Sequence, residues 1–78
     1  MSWSRKLSEP ITLKDGRVLT SLDDARALML ALPEGRQIAP YWQYAAELLL
    51  RAADRSSKDT ALEAWAQLRR ALVAEGML

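Results

Sequence analysis

Apolar and polar residues alternate over the run from Pro10 to Thr20. Ile11 and Leu13 are separated by Thr12, Asp15-Gly16 follows Lys14, and Arg17-Val18-Leu19-Thr20 forms a second short run. A period of two reads as strand. Asp-Gly between two such runs predicts a β-hairpin with a type I′ turn. After Thr20 the period lengthens. Leu22, Ala25, Leu28, Met29 and Leu32 follow helical spacing, with Ser21 placed as N-cap, Asp24 in the capping-box position and Asp23 in the first turn. Pro33 ends this helix and Gly35 supports a turn.

The stretch from Ala39 to Ala53 predicts the central helix, running from about Pro40 to Asp54 or Arg55, with Pro40 in the first turn, where a missing N–H costs nothing. Its apolar residues fill two neighbouring stripes. One holds Tyr41, Tyr44, Ala45, Leu48 and Ala52; the other holds Trp42, Ala46, Leu49 and Ala53. A helix apolar on both stripes is expected to be covered on two sides. Ser56 or Ser57 then caps a last helix, with Asp59 near its start. Ala61 or Leu62, Trp65, Leu68 or Arg69, Leu72 and Val73 mark its buried side. Gly76 stands where a C-cap glycine belongs, Met77 follows as its hydrophobic contact, and Arg69 and Arg70 complement the helix dipole. The expected fold is α+β, a short N-terminal β-hairpin followed by three α-helices (β-β-α-α-α). Residues 10–78 form a single small domain and residues 1–9 a flexible N-terminal arm, from which Trp3 folds back over apolar surface.

Length limits how such a fold is stabilised. A chain of 78 residues buries only about 60% of the surface its unfolded form exposes. Half of its residues are apolar, which argues against disorder, but the absence of cysteine leaves no disulfide or thiolate–metal staple. Self-association is therefore a reasonable expectation. The N-terminal residues contain no apolar signal-peptide core, and the windows near Ala27–Leu32 and Leu48–Leu50 are far short of a membrane span. The default reading is a soluble, cytoplasmic protein without membrane attachment. A net charge of +1 supplies no electrostatic argument for nucleic acid or acidic lipid.

The order of these features resembles a family of small uncharacterised bacterial domains found mainly in rhizobia and related alpha-proteobacteria. The matching residues are Pro10-Ile11, Ser21 through Ala25, Leu30 to Pro33 with Gly35, Ala45-Ala46 with Leu49, and Ala71 to Gly76. Leu32 stands where the family usually has a tryptophan, and Trp65 or Leu68 where it commonly has a phenylalanine. The resemblance implies a β-β-α-α-α fold and a bacterial cytoplasmic setting. It implies no activity.

Chemistry is sparse. Without histidine or cysteine, acid–base work near neutral pH would fall to a carboxylate, lysine or tyrosine with a shifted pKa. Asp23 and Asp24 are adjacent and point apart on a helix; Asp54 and Asp59 straddle a turn, as exposed charges do. Ser21, Ser56 and Ser57 sit at cap positions with no histidine to activate them. Asp15-Gly16-Arg17 and Glu34-Gly35-Arg36 are lone glycine turns beside arginines, and no phosphate-loop pattern is present. No catalytic residue, cofactor or metal site is assigned, and an enzyme is not the expected class. Two constellations remain. Arg51, Arg55, Lys58 and Arg70 are candidates for anion or nucleic-acid contact. Trp3, Tyr41, Trp42, Tyr44 and Trp65 are candidates for an interface, since tyrosine and tryptophan are enriched there. The leading expectation is a non-enzymatic interaction or accessory domain, homodimeric or bound to an unidentified protein partner. The alternatives are a weak nucleic-acid-binding regulatory protein and a small-ligand-binding protein.

Overall fold

The computed structural model describes residues 2–55 and 57–78. Strands β1 (Lys6–Thr12) and β2 (Val18–Ser21) form an antiparallel hairpin that leads into α1 (Leu22–Leu30), α2 (Glu34–Gln37), α3 (Pro40–Asp54) and α4 (Lys58–Ala74). The α+β class is as expected, but there are four helices rather than three. The addition is the single turn of α2. Pro33 explains it: with φ −54 it stops α1 and is already set for a new helical start. Its carbonyl accepts from the N–H groups of Arg36 (2.8 Å) and Gln37 (3.2 Å), and Gln37 Nε2 donates back to the Leu32 carbonyl at 2.7 Å. One turn with no buried residue leaves no hydrophobic period to read.

The hairpin also departs from expectation at both ends. Its turn is not type I′, which needs positive φ at two central residues. Among the described residues no side-chain-bearing residue has positive φ, and Gly16 alone (φ 93) supplies it here. The loop spans Lys14 to Gly16. Gly16 N–H donates to the Leu13 carbonyl (3.0 Å) and Leu13 N–H to the Arg17 carbonyl (2.8 Å), while the Asp15 carboxylate accepts from Arg17 N–H at 3.0 Å. At the other end β1 begins at Lys6 rather than Pro10. Lys6 pairs with Ser21 and Ile11 with Leu19, so β1 advances five residues while β2 advances two. The excess is a bulge or irregularity between Lys6 and Ile11, a stretch that contains Pro10, whose missing N–H is tolerated where the ladder is interrupted. Leu7, in the same stretch, is buried.

The segment expected as a loose arm is tied at three points. Ser2 N–H donates to Ala53 (2.9 Å), while the carbonyls of Trp3 and Arg5 accept from Asp23 (2.8 Å) and Leu22 (2.9 Å). These bonds fasten the N-terminal residues across the start of α1 and the end of α3. They also satisfy N–H groups that the first turn of α1 leaves without helical partners.

α3 is central, as its two apolar stripes predict. It packs chiefly on α4, with α1 and α2 on other sides, and β1 lies against α4. Trp42, Ala45, Leu48, Leu49, Ala52 and Ala53 are all buried. Facing them, α4 buries Ala64, Gln67, Leu68, Ala71 and Leu72. The alternation of alanine with leucine lets the two helices approach closely while still filling the space between them. The predicted stripe on α4 is corrected here: Leu68 and Leu72 point inward, but Leu62 and Val73 face solvent, 54% and 58% exposed.

Caps secure the helix ends. Ser21 Oγ accepts from Asp24 N–H at 3.1 Å, and Asp24 Oδ2 accepts from Ser21 N–H at 3.2 Å, completing the expected capping box. Ser57 caps α4 with Thr60 as its reciprocal partner; the Ser56 alternative lies outside the described residues. At the far end of α4, Gly76 (φ 79) donates to Val73 at 3.0 Å and Met77 to Leu72 at 2.9 Å, the hydrogen-bond pair of a Schellman motif.

Two outcomes follow. Gly76→Ala is expected to cost about 1–2 kcal/mol in urea unfolding because of backbone strain, since a Cβ there would meet nothing within 4 Å. Hydrogen bonds from the Thr20 backbone and hydroxyl, then from Ser21, lower the Asp24 pKa from its ordinary 3.8. A lowered folded-state pKa gives stability that is present above the unfolded value and lost as pH falls through the folded one. Asp24→Asn should therefore lower neutral-pH stability and flatten the decline below about pH 4, as followed by circular dichroism across an acid titration.

Candidate interaction surface

The five candidate aromatic residues do not form one patch. Trp42 is wholly buried, with 0% exposure, so it belongs to the core and not to an exposed interface. Trp3 is half-buried against the core beside α1, with the Arg26 guanidinium 5.0 Å from its ring centroid. Tyr41 is half-buried and turned toward the C-terminal end of α4. Tyr44 is 50% exposed, and Trp65 is half-buried against the core with its ring bordering a surface groove on α4.

Trp42 and Tyr41 are held by a residue the sequence did not bring forward. The Glu75 side chain is only 7% exposed. Its Oε1 accepts from Trp42 Nε1 at 3.0 Å and from Tyr41 Oη at 3.1 Å, and its Oε2 from Arg36 Nη1 at 3.1 Å. A carboxylate at a helix C-terminus works against the helix dipole, so these charge-assisted donors must offset both that repulsion and the loss of water. Burial, and then the hydrogen bond to Glu75, raise the Tyr41 pKa above its ordinary 10.0. The cluster joins α2, α3 and α4. Its donors are consumed by the protein itself, so its chemistry is structural. Nothing local in the sequence signals Glu75; the available clue was that a buried indole N–H needs an acceptor.

The candidate basic residues are likewise dispersed. Arg51 lies 3.9 Å from Glu47 and 4.0 Å from Glu63. Arg55 and Lys58 are exposed at the junction of α3 and α4. Arg70 belongs farther along α4 and meets the Gln67 side chain at 3.5 Å. Both arginines at glycine turns are engaged within the chain, Arg17 with Asp15 (2.7 Å) and Arg36 with Glu75 (3.1 Å). Among the described residues no group of three acidic side chains gathers as a metal ion would require, and no helix is long and apolar enough to cross a membrane.

What the structure does bring together is the outer face of α4. Leu62, Ala66, Arg69, Arg70 and Val73 recur at three- and four-residue intervals and share one side of the helix. Arg69 lies over the Trp65 ring, 5.3 Å from its centroid, an arrangement that screens an apolar ring with a weakly hydrated cation. An open groove of about 470 Å³ runs beside Trp65, Ala66, Arg69 and Val73. A smaller one of about 240 Å³ separates Tyr44 from Leu62, Glu63 and Arg70. Sequence reasoning missed this face because α4 is apolar on more than one side, and the helical period alone does not say which side meets α3.

No family model matches the chain, and neither a curated protein nor a solved structure shows significant similarity to it.

The two settings predict different responses. Trp42→Ala should cost about 3–5 kcal/mol in chemical denaturation. Glu75→Ala should cost about 1–3 kcal/mol by leaving a buried N–H without a partner. Leu62→Ala, on the open face, should change the folding stability of the isolated chain by no more than about 0.5 kcal/mol.

Proposed function

We propose that this protein is a non-enzymatic interaction module that docks a protein partner on the outer face of α4 and the adjoining Tyr44. The observation that carries this reading is the grouping of Leu62, Ala66 and Val73 in one line, bordered by Tyr44 and two arginines. Scattered apolar residues on a surface are ordinary, but a contiguous line with aromatic and arginine neighbours has the composition of an interface. The acidic residues Glu47 and Glu63 beside Arg51 weigh against a nucleic-acid surface, which calls for a continuous basic face. The shallow, open form of both grooves weighs against a small-molecule site, which normally encloses most of its ligand.

A photo-crosslinking amino acid at Val73, expressed in the cells that make the protein, is expected to give a discrete adduct after irradiation. The same residue at exposed Glu9, on β1, is the control. Absence of an adduct from Val73, or identical adducts from both positions, would overturn the reading.

A further inference from the structure

We propose that the partner on this face is a second copy of the chain, bound through antiparallel pairing of α4 with α4 about a two-fold axis near Ala66. This inference rests on the interaction reading above and names its occupant. Charge along the helix is distributed so that such a pairing is complementary. The N-terminal half of the exposed face carries Asp59 and Glu63, with Lys58 at the helix start on the opposite flank from Glu63, and the C-terminal half carries Arg69 and Arg70. A parallel pair would set acid against acid and arginine against arginine. An antiparallel pair sets each acidic half against a basic half, and also opposes the two helix dipoles.

Helical geometry makes the match specific. Glu63 and Arg70 lie on the same flank of the face, nearly equal distances either side of Ala66, at about 1.5 Å of rise per residue. A two-fold axis through Ala66 therefore brings Glu63 of each copy beside Arg70 of the other. The same operation puts Leu62 of each copy against the Arg69 stem and within about one turn of Val73 of the other. Ala66 occupies the crossing point, where a small side chain permits close approach of the two helices. Within one copy the nearest cation to Glu63 is Arg51, at 4.0 Å with both side chains half-exposed. Such a contact is weak, so Glu63 can turn to a new partner. Tyr44 lines the smaller groove at the margin, on the side of Leu62.

The test is a charge exchange read by sedimentation equilibrium over micromolar to near-millimolar concentrations. The wild-type chain is expected to show twice the 8.8 kDa chain mass. Glu63→Arg and Arg70→Glu should each weaken self-association at least tenfold, because each places like charges opposite one another. Mixed in equal amounts, the two variants should recover the double mass as a heterodimer, since every cross-pair is then complementary. Leu62→Asp should give a folded monomer, with circular dichroism confirming helicity. A wild-type mass that stays at 8.8 kDa, or a dimer indifferent to Leu62→Asp and to both charge reversals, would overturn the proposal. So would failure of the mixed variants to recombine. The Val73 crosslink separates this outcome from failure of the broader reading. An adduct at twice the chain mass supports self-pairing; one of another mass retains the interaction module and overturns the second copy; no adduct overturns both.

Discussion

A buried indole and a carboxylate set the arrangement of the helices. Trp42 is wholly enclosed at the first turn of α3, and its N–H would be a costly orphan in that setting. Glu75 answers it from the C-cap position of α4. Because the carboxylate sits at the wrong end of a helix dipole, it in turn requires further donors, and Tyr41 and Arg36 provide them. One of those donors, Arg36, belongs to α2 and links that turn to the end of α4. The Schellman turn at Gly76 then carries the chain on to Met77, whose carbonyl accepts from Lys14 at 3.0 Å. One polar contact is thus continuous with the closure of the hairpin against the end of α4.

The remainder of the interior is apolar and small in section. Alanines at 45, 52, 53, 64 and 71 let α3 and α4 lie close together, and the hairpin and α1 cover the flanks with Leu7, Ile11, Leu13, Leu22 and Leu28. A chain of this length cannot cover every apolar side chain. On the outer face of α4 the uncovered Leu62 and Val73 stand beside Glu63, Arg69 and Arg70, whereas exposed Leu30 and Ile38 lie near α2.

Much of the fold was legible where local chemistry dominates. Ser21 with Asp24, Pro40 in the first turn of α3, and Gly76 with Met77 each act within a few residues, and each appears where its chemistry puts it. The α+β order was legible for the same reason. The misses share a different cause. α2 is too short for a period. The Asp15-Gly16 turn takes its form from a three-residue loop in which the Asp15 side chain bonds Arg17, a choice the dipeptide does not specify. On α4, alanines and leucines on several sides make the inward stripe ambiguous, and between Ala61 and Leu62 it is tertiary packing that leaves Ala61 half-buried and Leu62 exposed. Glu75 is separated from Trp42 by more than thirty residues, so no pattern in the sequence links them. Of the five candidate aromatic residues, Tyr44 is exposed and Trp65 half-buried, whereas Trp42 lies in the core, a division set by contacts that the spacing of aromatic residues does not specify.

Trp42 depends on Glu75 as the acceptor of its buried N–H. A double-mutant cycle of Trp42→Phe and Glu75→Ala, measured by urea denaturation, tests it directly. Glu75→Ala is expected to be markedly less costly once the indole N–H is gone, with a coupling energy of about 1–3 kcal/mol. Additive losses within about 0.3 kcal/mol would contradict it, and would mean that Glu75 serves Arg36 and Tyr41 while Trp42 is held by packing alone.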